Sequence, residues 1–313
     1  MEVITLAVDG LPSGYRWLNI AANYLGFGLS PAVSICLVYV LDIKTVFRRK
    51  IRTAMYCEIG YLMFLFASIP YGMVFSVNAD NIYSRGPHFY IYVIMYFGAI
   101  LYLSVSTIVT AREYQNRSRL LIYPLILFVM AETIIQVALP ELHVTWFCVT
   151  LLSVLYFIYC NEMWNQLDAL TGLLNQNSYL KRTGEGRCNR GVLIVFDVDN
   201  FKQINDCYGH VQGDVCLAEI AECIKKVYAN YGYCYRVGGD EFCVLLKNSE
   251  KEGMCKQEFL WRMEEKRRKI TFLPTVSYGS ASCSSEDIVE VKERADRDMY
   301  QYKNERKKRS SME

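Results

Sequence analysis

The sequence predicts a chain of two parts, a membrane-spanning helical half followed by a water-soluble α/β half. Charges are divided unevenly, because residues 1–164 contain only 10 of the 34 lysines and arginines and 9 of the 32 acidic residues. The first half also has five apolar stretches long enough to cross a membrane, for which a helix needs about 20 apolar residues. In the second half, short strands alternate with helices, which predicts a mixed α/β domain with a central sheet.

The five predicted spans follow one another through the first 160 residues. They cover residues 17–41, 54–77, 89–110, 120–139 and 144–160. We therefore assign 1–160 to a five-span transmembrane region, 161–167 to a short linker and 168–313 to the soluble domain. The first span has almost no basic segment before it and no small-residue cleavage site, so we expect it to be retained rather than removed as a signal peptide.

Basic residues in the loops predict the orientation of these spans, since lysine and arginine concentrate on the cytoplasmic side. The two basic loops are the first, with Lys44, Arg48, Arg49, Lys50 and Arg52, and the third, with Arg112, Arg117 and Arg119. With five spans, the N-terminus lies outside and the soluble domain lies in the cytoplasm. The soluble half contains eight scattered cysteines without a CxxC pair. We interpret them as reduced thiols, which agrees with a cytoplasmic location of this domain.

Two acidic residues fall inside predicted spans, where an ionised group is costly. We interpret Glu132 as a protonated carboxyl bonded to a neighbouring helix, for example through Gln136, although a ligand or ion position is the alternative. Glu58 lies near the cytoplasmic end of its span, so we expect a structural side chain whose head reaches the membrane surface.

The predicted elements of the soluble half define where its motifs lie. They are a helix at 175–182, a strand at 192–198, a helix at 213–229, a hairpin of 233–237 with 241–247, a helix at 254–269, a strand at 275–280 and a helix at 288–309. A net charge of +2 argues against a strongly basic nucleic-acid binder. Zinc is disfavoured because His210 is the only histidine after residue 164 and no Cys/His cluster has ligand spacing.

Acidic residues stand at two strand ends. Asp197, Val198 and Asp199 end a predicted buried strand, and Gly-Gly-Asp-Glu at 238–241 occupies a hairpin turn, where we expect the glycines to supply the positive φ angles of a type I′ turn. If the two meet, three or four carboxylates converge, an arrangement that is stable when it holds a divalent cation. Ligands that are all oxygen favour Mg²⁺. The candidate phosphate-binding cations are Lys202, Lys303 and Lys307.

Each motif also has a purely structural interpretation. A pair of aspartates at a strand end often caps the next helix, and Gly-Gly-Asp is a common turn. The two motifs in this order and spacing favour a metal and phosphate site more strongly than either does by itself.

The segment 236–242, Arg-Val-Gly-Gly-Asp-Glu-Phe, resembles the signature of GGDEF-type diguanylate cyclases. Three other parts of the sequence resemble further motifs of the family. Asp-Ala-Leu-Thr-Gly-Leu-Leu-Asn at 168–175 resembles its opening motif, and 277–279 and 295–303 resemble its last strand and last helix. Its metal and guanine block is similar to 197–206 together with Gly209, His210, Gly213 and Asp214. The resemblance extends over residues 165–309.

This resemblance implies a palm-like α/β fold, shared with nucleotidyl cyclases and polymerases, whose central sheet is mostly antiparallel. It implies condensation of two GTP molecules into cyclic di-GMP with loss of pyrophosphate, using Mg²⁺ (or Mn²⁺). Each domain binds one GTP, so catalysis needs a homodimer. We expect the membrane region to gate activity through dimer geometry in response to a signal that the sequence does not identify.

The resemblance also assigns roles to individual residues. Asp240 and Glu241 would be catalytic, with Glu241 assisting deprotonation of the 3′-hydroxyl. The metal ligands would be Asp197, Asp240, Glu241 and the backbone carbonyl of Val198. The substrate contacts would be Phe201, Lys202, Lys303 and Lys307 at the triphosphate, and Asn205 and Asp214 at the guanine edge.

Two motifs depart from the family pattern. The last helix of the family resembles Lys-x-x-Gly-Arg, whereas 303–307 reads Lys-Asn-Glu-Arg-Lys, so the second phosphate contact falls on Lys307, with Arg306 as a substitute. The inhibitory Arg-x-x-Asp motif of the family would begin at Ala229 and end at Gly232. We therefore expect no inhibitory site for the product there.

Two other functions remain alternatives. A catalytically silent GGDEF domain would bind a nucleotide or a partner without turnover, and the presence of Asp197, Asp240 and Glu241 argues against it. A transporter or channel with a regulatory domain is disfavoured by the few intramembrane polar residues and the lack of an evident internal repeat.

Overall fold

The structure is a computed structural model of the chain. It describes residues 2–41, 48–113, 145–184, 187–188, 191–283 and 286–310, together with the pairs 123–124, 127–128, 130–131 and 134–135. The chain divides into two compact units, Met1–Met163 and Trp164–Glu313.

The first unit consists mainly of long apolar helices. Its elements are α1 (Glu2–Val8), α2 (Arg16–Leu41), α3 (Arg48–Ser68), β1 (Phe75–Val77), β2 (Tyr83–Arg85), α4 (Tyr90–Glu113) and α5 (Thr145–Trp164). Phe27 of α2 contacts the rings of Phe75, Phe89 and Tyr92 at centroid distances of 5.6, 5.7 and 4.8 Å. An aromatic core therefore joins α2, the β1–β2 hairpin and the start of α4.

Four helices in the described part of the chain are long and apolar enough to cross a membrane. They cover Ser13–Val40, Ile51–Tyr71, Tyr90–Arg112 and Trp146–Trp164. The remaining predicted span, 120–139, lies largely outside the described residues, as do Glu132 and Gln136. Membrane anchoring is thus consistent with the structure, and the count of five spans stays a prediction.

The side chain of Glu58 on α3 was predicted to reach the membrane surface, and the structure differs. The residue is only 6% exposed, and neither carboxylate oxygen has a hydrogen-bond partner in the described parts of the chain. Its side chain therefore lies within the packed helices and does not extend to the surface.

The second unit contains a central sheet with helices on both faces. Its elements are α6 (Gln176–Thr183), β3 (Arg187–Cys188), β4 (Gly191–Val198), α7 (Phe201–Tyr208), α8 (His210–Tyr228), β5 (Gly232–Arg236), β6 (Glu241–Leu246), α9 (Glu252–Lys269), β7 (Val276–Cys283), β8 (Glu286–Asp287) and α10 (Ile288–Ser310). The sheet order is β5-β6-β4-β7, and every neighbouring pair is antiparallel. The predicted antiparallel sheet with helices is confirmed.

The alternation of side chains along β4 builds two cores. Ile194 and Phe196 pack in the cluster that contains α8 and α9, whereas Leu193 and Val195 pack in the cluster that contains α6 and α10. β4 is a central strand because it pairs with β6 on one side and with β7 on the other, and helices cover both of its faces.

Helix α7 is additional to the predicted elements. Asn200 precedes it in a left-handed conformation with φ of 54°, and Gly209, with φ of 84°, separates it from α8. Helix α8 accordingly begins at His210 rather than at the predicted Gly213. The eight-residue helix α7 and the 19-residue helix α8 meet at Gly209 and form a corner shortly after β4.

The state of one cysteine in the soluble half also differs from the prediction. Cys283 at the end of β7 is disulfide-bonded, whereas we predicted reduced thiols throughout the soluble half. The thiols outside any disulfide include those of Cys207, Cys216, Cys223, Cys234, Cys243 and Cys255.

Candidate functional site

The strand ends that carry the acidic motifs meet at one edge of the sheet. Asp197 on β4 lies directly opposite Glu241 on β6, and the backbone N–H of Val198 donates to the carbonyl of Asp240 at 3.2 Å. On the other side of β4, the N–H of Asp199 donates to the carbonyl of Thr275 at 2.9 Å. The antiparallel pairing thus brings together the two motifs that the sequence places about 40 residues apart.

The Gly-Gly turn has a different conformation from the one predicted. Neither Gly238 nor Gly239 has a positive φ angle, so the turn is not of type I′. The N–H groups of Val237 and Gly238 both donate to the carbonyl of Glu241, at 3.0 and 3.3 Å. A Cβ on Gly238 would lie 3.1 Å from Glu241 Oε2, so the glycine provides room for that carboxylate.

Lys303 of α10 lies beside the carboxylates of this strand end. Its Nζ donates to Asp197 Oδ1 at 2.6 Å and lies 3.9 Å from Asp199 Oδ1. Burial by itself lowers the pKa of Lys303, but the bond to Asp197 and the charges of Asp197, Asp199 and Asp240 raise it above its ordinary value. Lys303 therefore stays protonated beside three carboxylates.

The donor set fits a hard divalent cation in its chemistry, since it consists of carboxylates and a backbone carbonyl. In the described residues, however, no three carboxylate, histidine or cysteine side chains are arranged to hold an ion. The Lys303 ammonium instead neutralises Asp197. Lys303 binds one of the two carboxylate oxygens of Asp197, so this pairing is chemically compatible with a metal contact through Oδ2.

The predicted guanine contacts lie at the α7–α8 corner. Asn205 of α7 packs against Gly213 of α8 so closely that a Cβ at Gly213 would overlap the Asn205 amide oxygen. Asp214 follows on the same turn with an exposed side chain. Phe201 is partly buried against the core, whereas Lys202 is exposed. The structure therefore brings Asn205 into contact with Gly213, the residue that precedes Asp214.

The second phosphate contact was predicted at Lys307, with Arg306 as a substitute. The side chain of Lys307 lies outside the described part of the structure. Arg306, considered as its substitute, donates from Nη1 to Asp199 Oδ2 at 3.2 Å. Arg306 is thus bound to the sheet in this structure.

Asp168 and Arg236 form a contact that the sequence analysis missed. Arg236 Nη1 donates to both carboxylate oxygens of Asp168, at 3.1 and 3.3 Å, and Arg236 Nη2 donates to the carbonyl of Gly239 at 2.7 Å. Burial alone raises the pKa of Asp168, but hydrogen bonds from Thr171 and Arg236 hold it below its ordinary value. This pair ties the segment after α5 to the hairpin turn.

Comparison with known proteins assigns residues 165–309 to the family described as the diguanylate cyclase GGDEF domain. Diguanylate cyclase DgcS of Shewanella oneidensis is 33% identical over 150 residues, which cover 45% of this chain and 51% of that protein. Diguanylate cyclase A of Treponema denticola is 33% identical over 139 residues, which cover 42% and 37%. The chain thus spans about half the length of the first of these relatives and about a third of the second.

Two further comparisons concern a membrane protein and a solved structure. An uncharacterised membrane protein of Staphylococcus aureus is 28% identical over 133 residues, covering 39% of this chain and 37% of that protein. The crystal structure of the GGDEF domain of DgcB from Caulobacter crescentus in complex with c-di-GMP is 27% identical, with a TM-score of 0.38 and coverage of 44% and 90%.

Proposed function

We propose that this chain, whose residues 165–309 form a GGDEF domain, is a multi-pass membrane diguanylate cyclase that condenses two GTP molecules into cyclic di-GMP and pyrophosphate. The observation that carries the proposal is the meeting of Asp197, Asp240 and Glu241 at paired strand ends, with Lys303 beside them. A site of this composition binds a metal and a polyphosphate. The finer parts of the proposal are five spans, an outside N-terminus and a cytoplasmic catalytic domain.

In the proposed reaction, the 3′-oxygen of one GTP attacks the α-phosphorus of the other, and the bond to pyrophosphate breaks. Asp197, Asp240, Glu241 and the carbonyl of Val198 would hold Mg²⁺ (or Mn²⁺), which lowers the pKa of the hydroxyl and neutralises phosphate charge. Glu241, beside Gly238 at the turn, accepts the proton from the 3′-hydroxyl. Two such steps, one from each GTP, close the ring.

The cations and polar side chains would orient the nucleotide. Lys303 moves its ammonium from Asp197 to the triphosphate, where the backbone of Phe201 and the side chains of Lys202 and Lys307 add donors. One domain contains one set of these groups, so the reaction requires two copies of the chain with their sites face to face. A change in dimer spacing, imposed by the membrane region in response to a signal, then controls the rate.

The direct test uses the full chain in lipid nanodiscs with GTP and Mg²⁺, followed by identification of the product by mass spectrometry. Formation of cyclic di-GMP supports the proposal. GTP binding without any cyclic dinucleotide would instead establish the silent receptor.

Guanine selection is expected to depend on Asp214. A carboxylate accepts from guanine N1–H and N2–H₂, donors that adenine does not present together, and losing such pairing costs about 1–3 kcal/mol. The Asp214→Ser variant should therefore lose part of its preference for GTP over ATP, as measured by kcat/KM for each nucleotide. Asp206→Ser, at an exposed position on α7, is the control. Unchanged discrimination in Asp214→Ser would remove this residue from the pocket.

Membrane topology is expected to follow the basic loops. A reporter fused before Trp17, or inserted near Arg85, should be active outside the cytoplasm, whereas fusions at Lys50 and Glu313 should be active inside it. Each fusion serves as the control for the others in one expression series. Cytoplasmic activity of the fusion near Arg85 would contradict the predicted orientation.

Cyclic di-GMP is not expected to inhibit the enzyme through residues 229 and 232. Ala229 offers only a methyl group, and a side chain at Gly232 would overlap the carbonyl of Leu245 on the neighbouring strand, so the paired arginine and carboxylate contacts cannot form there. Initial rates with added product check this expectation. Tight noncompetitive inhibition that is abolished by changes around residues 225–236 would show that an inhibitory site exists there.

A further inference from the structure

Asp199, two residues beyond the predicted metal ligand Asp197, is held by β7 and the segment that precedes it. Ser277 Oγ donates to Oδ1 and Thr275 Oγ1 donates to Oδ2, both at 2.6 Å. The side chain is 14% exposed. Since both oxygens are fixed by neutral hydroxyl groups, the negative charge of Asp199 is available to a cation at a defined position.

Arg306 supplies that cation. Its Nη1 donates to Asp199 Oδ2 at 3.2 Å and to the carbonyl of Val276 at 3.5 Å. The family pattern that the last helix resembles has glycine at this position, so the tie is an addition in this chain. Arg306 also lies in the last two turns of α10, which ends at Ser310, where a helix unwinds most easily.

Lys303 lies three residues before Arg306 and therefore on the same face of α10. Its ammonium contacts Asp197 at 2.6 Å and lies 3.9 Å from Asp199. A lysine is a flexible point charge that reaches its partner only when its backbone is well placed. The packing of α10 on β7 places most of the helix, and the contact between Arg306 and Asp199 adds to that placement because it joins the end of α10 to the end of β4.

We propose that Asp199 and Arg306 form a positioning pair, which holds Lys303 at the strand end where it meets the GTP phosphates. Both residues act through Lys303 and α10 and neither touches the reacting atoms. The inference rests on the proposed function, in which GTP is the substrate. It adds to that function the two residues that position Lys303 for the GTP phosphates. Losing the pair should weaken GTP binding and leave the chemical step nearly unchanged.

The test compares Arg306→Ala, Arg306→Lys and the wild-type full chain in nanodiscs. Arg306→Ala should raise KM for GTP about fivefold while kcat changes less than about twofold, and Arg306→Lys should restore part of the loss. Arg268→Ala is the matched control, because Arg268 pairs with Glu264 on α9 through side chains that are 77% and 67% exposed. This control should behave as the wild type does.

A double-mutant cycle with Asp199→Asn separates the pair from independent effects. If the two residues act together, adding Arg306→Ala to Asp199→Asn should raise KM no further. Full additivity, an unchanged KM in Arg306→Ala, or a fall in kcat and melting temperature without a change in KM would each overturn the positioning pair.

Equilibrium binding of GTP distinguishes this failure from failure of the proposed function. A wild-type chain that binds GTP without forming product would overturn the cyclase proposal. About fivefold weaker GTP binding by Arg306→Ala in that same chain would still support the positioning pair.

Discussion

Replacing Asp240 by asparagine is expected to abolish cyclic di-GMP synthesis and to leave the folded domain intact. The backbone of Asp240 shapes the site through its carbonyl, which accepts from Val198 at 3.2 Å, and asparagine preserves that bond. The carboxylate charge is lost, and with it a ligand of the proposed metal. Removing such a charge from a phosphoryl-transfer site costs at least about 10²-fold in kcat.

The measurement pairs initial rates of product formation with thermal unfolding of the full chain in nanodiscs. Because the turn is closed by backbone bonds to Glu241, the free energy of unfolding should change by no more than about 0.5 kcal/mol. Glu250→Gln, an exposed acidic residue after the far end of β6, provides the control. Near-normal turnover in Asp240→Asn would show that Asp240 is not a metal ligand.

The core of this site was predictable because it depends on local patterns. The apolar run of β4 ends at Asp197, and the signature at 236–242 places Asp240 and Glu241 on a hairpin. Antiparallel strands joined by such a turn bring their ends to one edge of the sheet. The resemblance to a known family then supplied the order of the motifs, which residue spacing by itself leaves open.

What sequence reasoning missed depends on contacts between distant residues. The Asp168–Arg236 pair joins positions 68 residues apart, and no local pattern selects arginine 236 as its partner. The turn was wrongly predicted as type I′ because glycine permits several conformations. Here the glycine at 238 makes room for Glu241 and keeps φ negative.

The ion pair between Lys303 and Asp197 is another contact between distant residues that the sequence did not predict. The sequence identifies both residues as site residues but predicts separate partners for them, phosphate for one and metal for the other. In the structure these two opposite charges, 106 residues apart, pair with each other at 2.6 Å. The interaction follows from the packing of α10 on β7, a property of the folded chain.

Replacing Gly279 by alanine is expected to disturb the packing of α10 on β7 and to destabilise the domain. Gly279 lies in the middle of β7, where α10 crosses so closely that a Cβ would overlap the backbone nitrogen of Met299 and the carbonyl of Ala295. Backbone atoms cannot rotate away as a side chain does, so the helix must move off the sheet. We expect the variant to lose about 2–3 kcal/mol of unfolding free energy.

Activity should fall in the same variant, because α10 carries Lys303 and Arg306 to the end of β4. Thermal unfolding and initial rates of the full chain check the two effects together. Gly253→Ala is the matched control: this glycine lies at the start of α9 with no neighbour within 4 Å of an added Cβ, so alanine should be neutral or stabilise the helix by up to about 1 kcal/mol. If Gly279→Ala melts and turns over as the wild type does, α10 does not pack against β7 at this distance, and the placement of Lys303 must come from elsewhere.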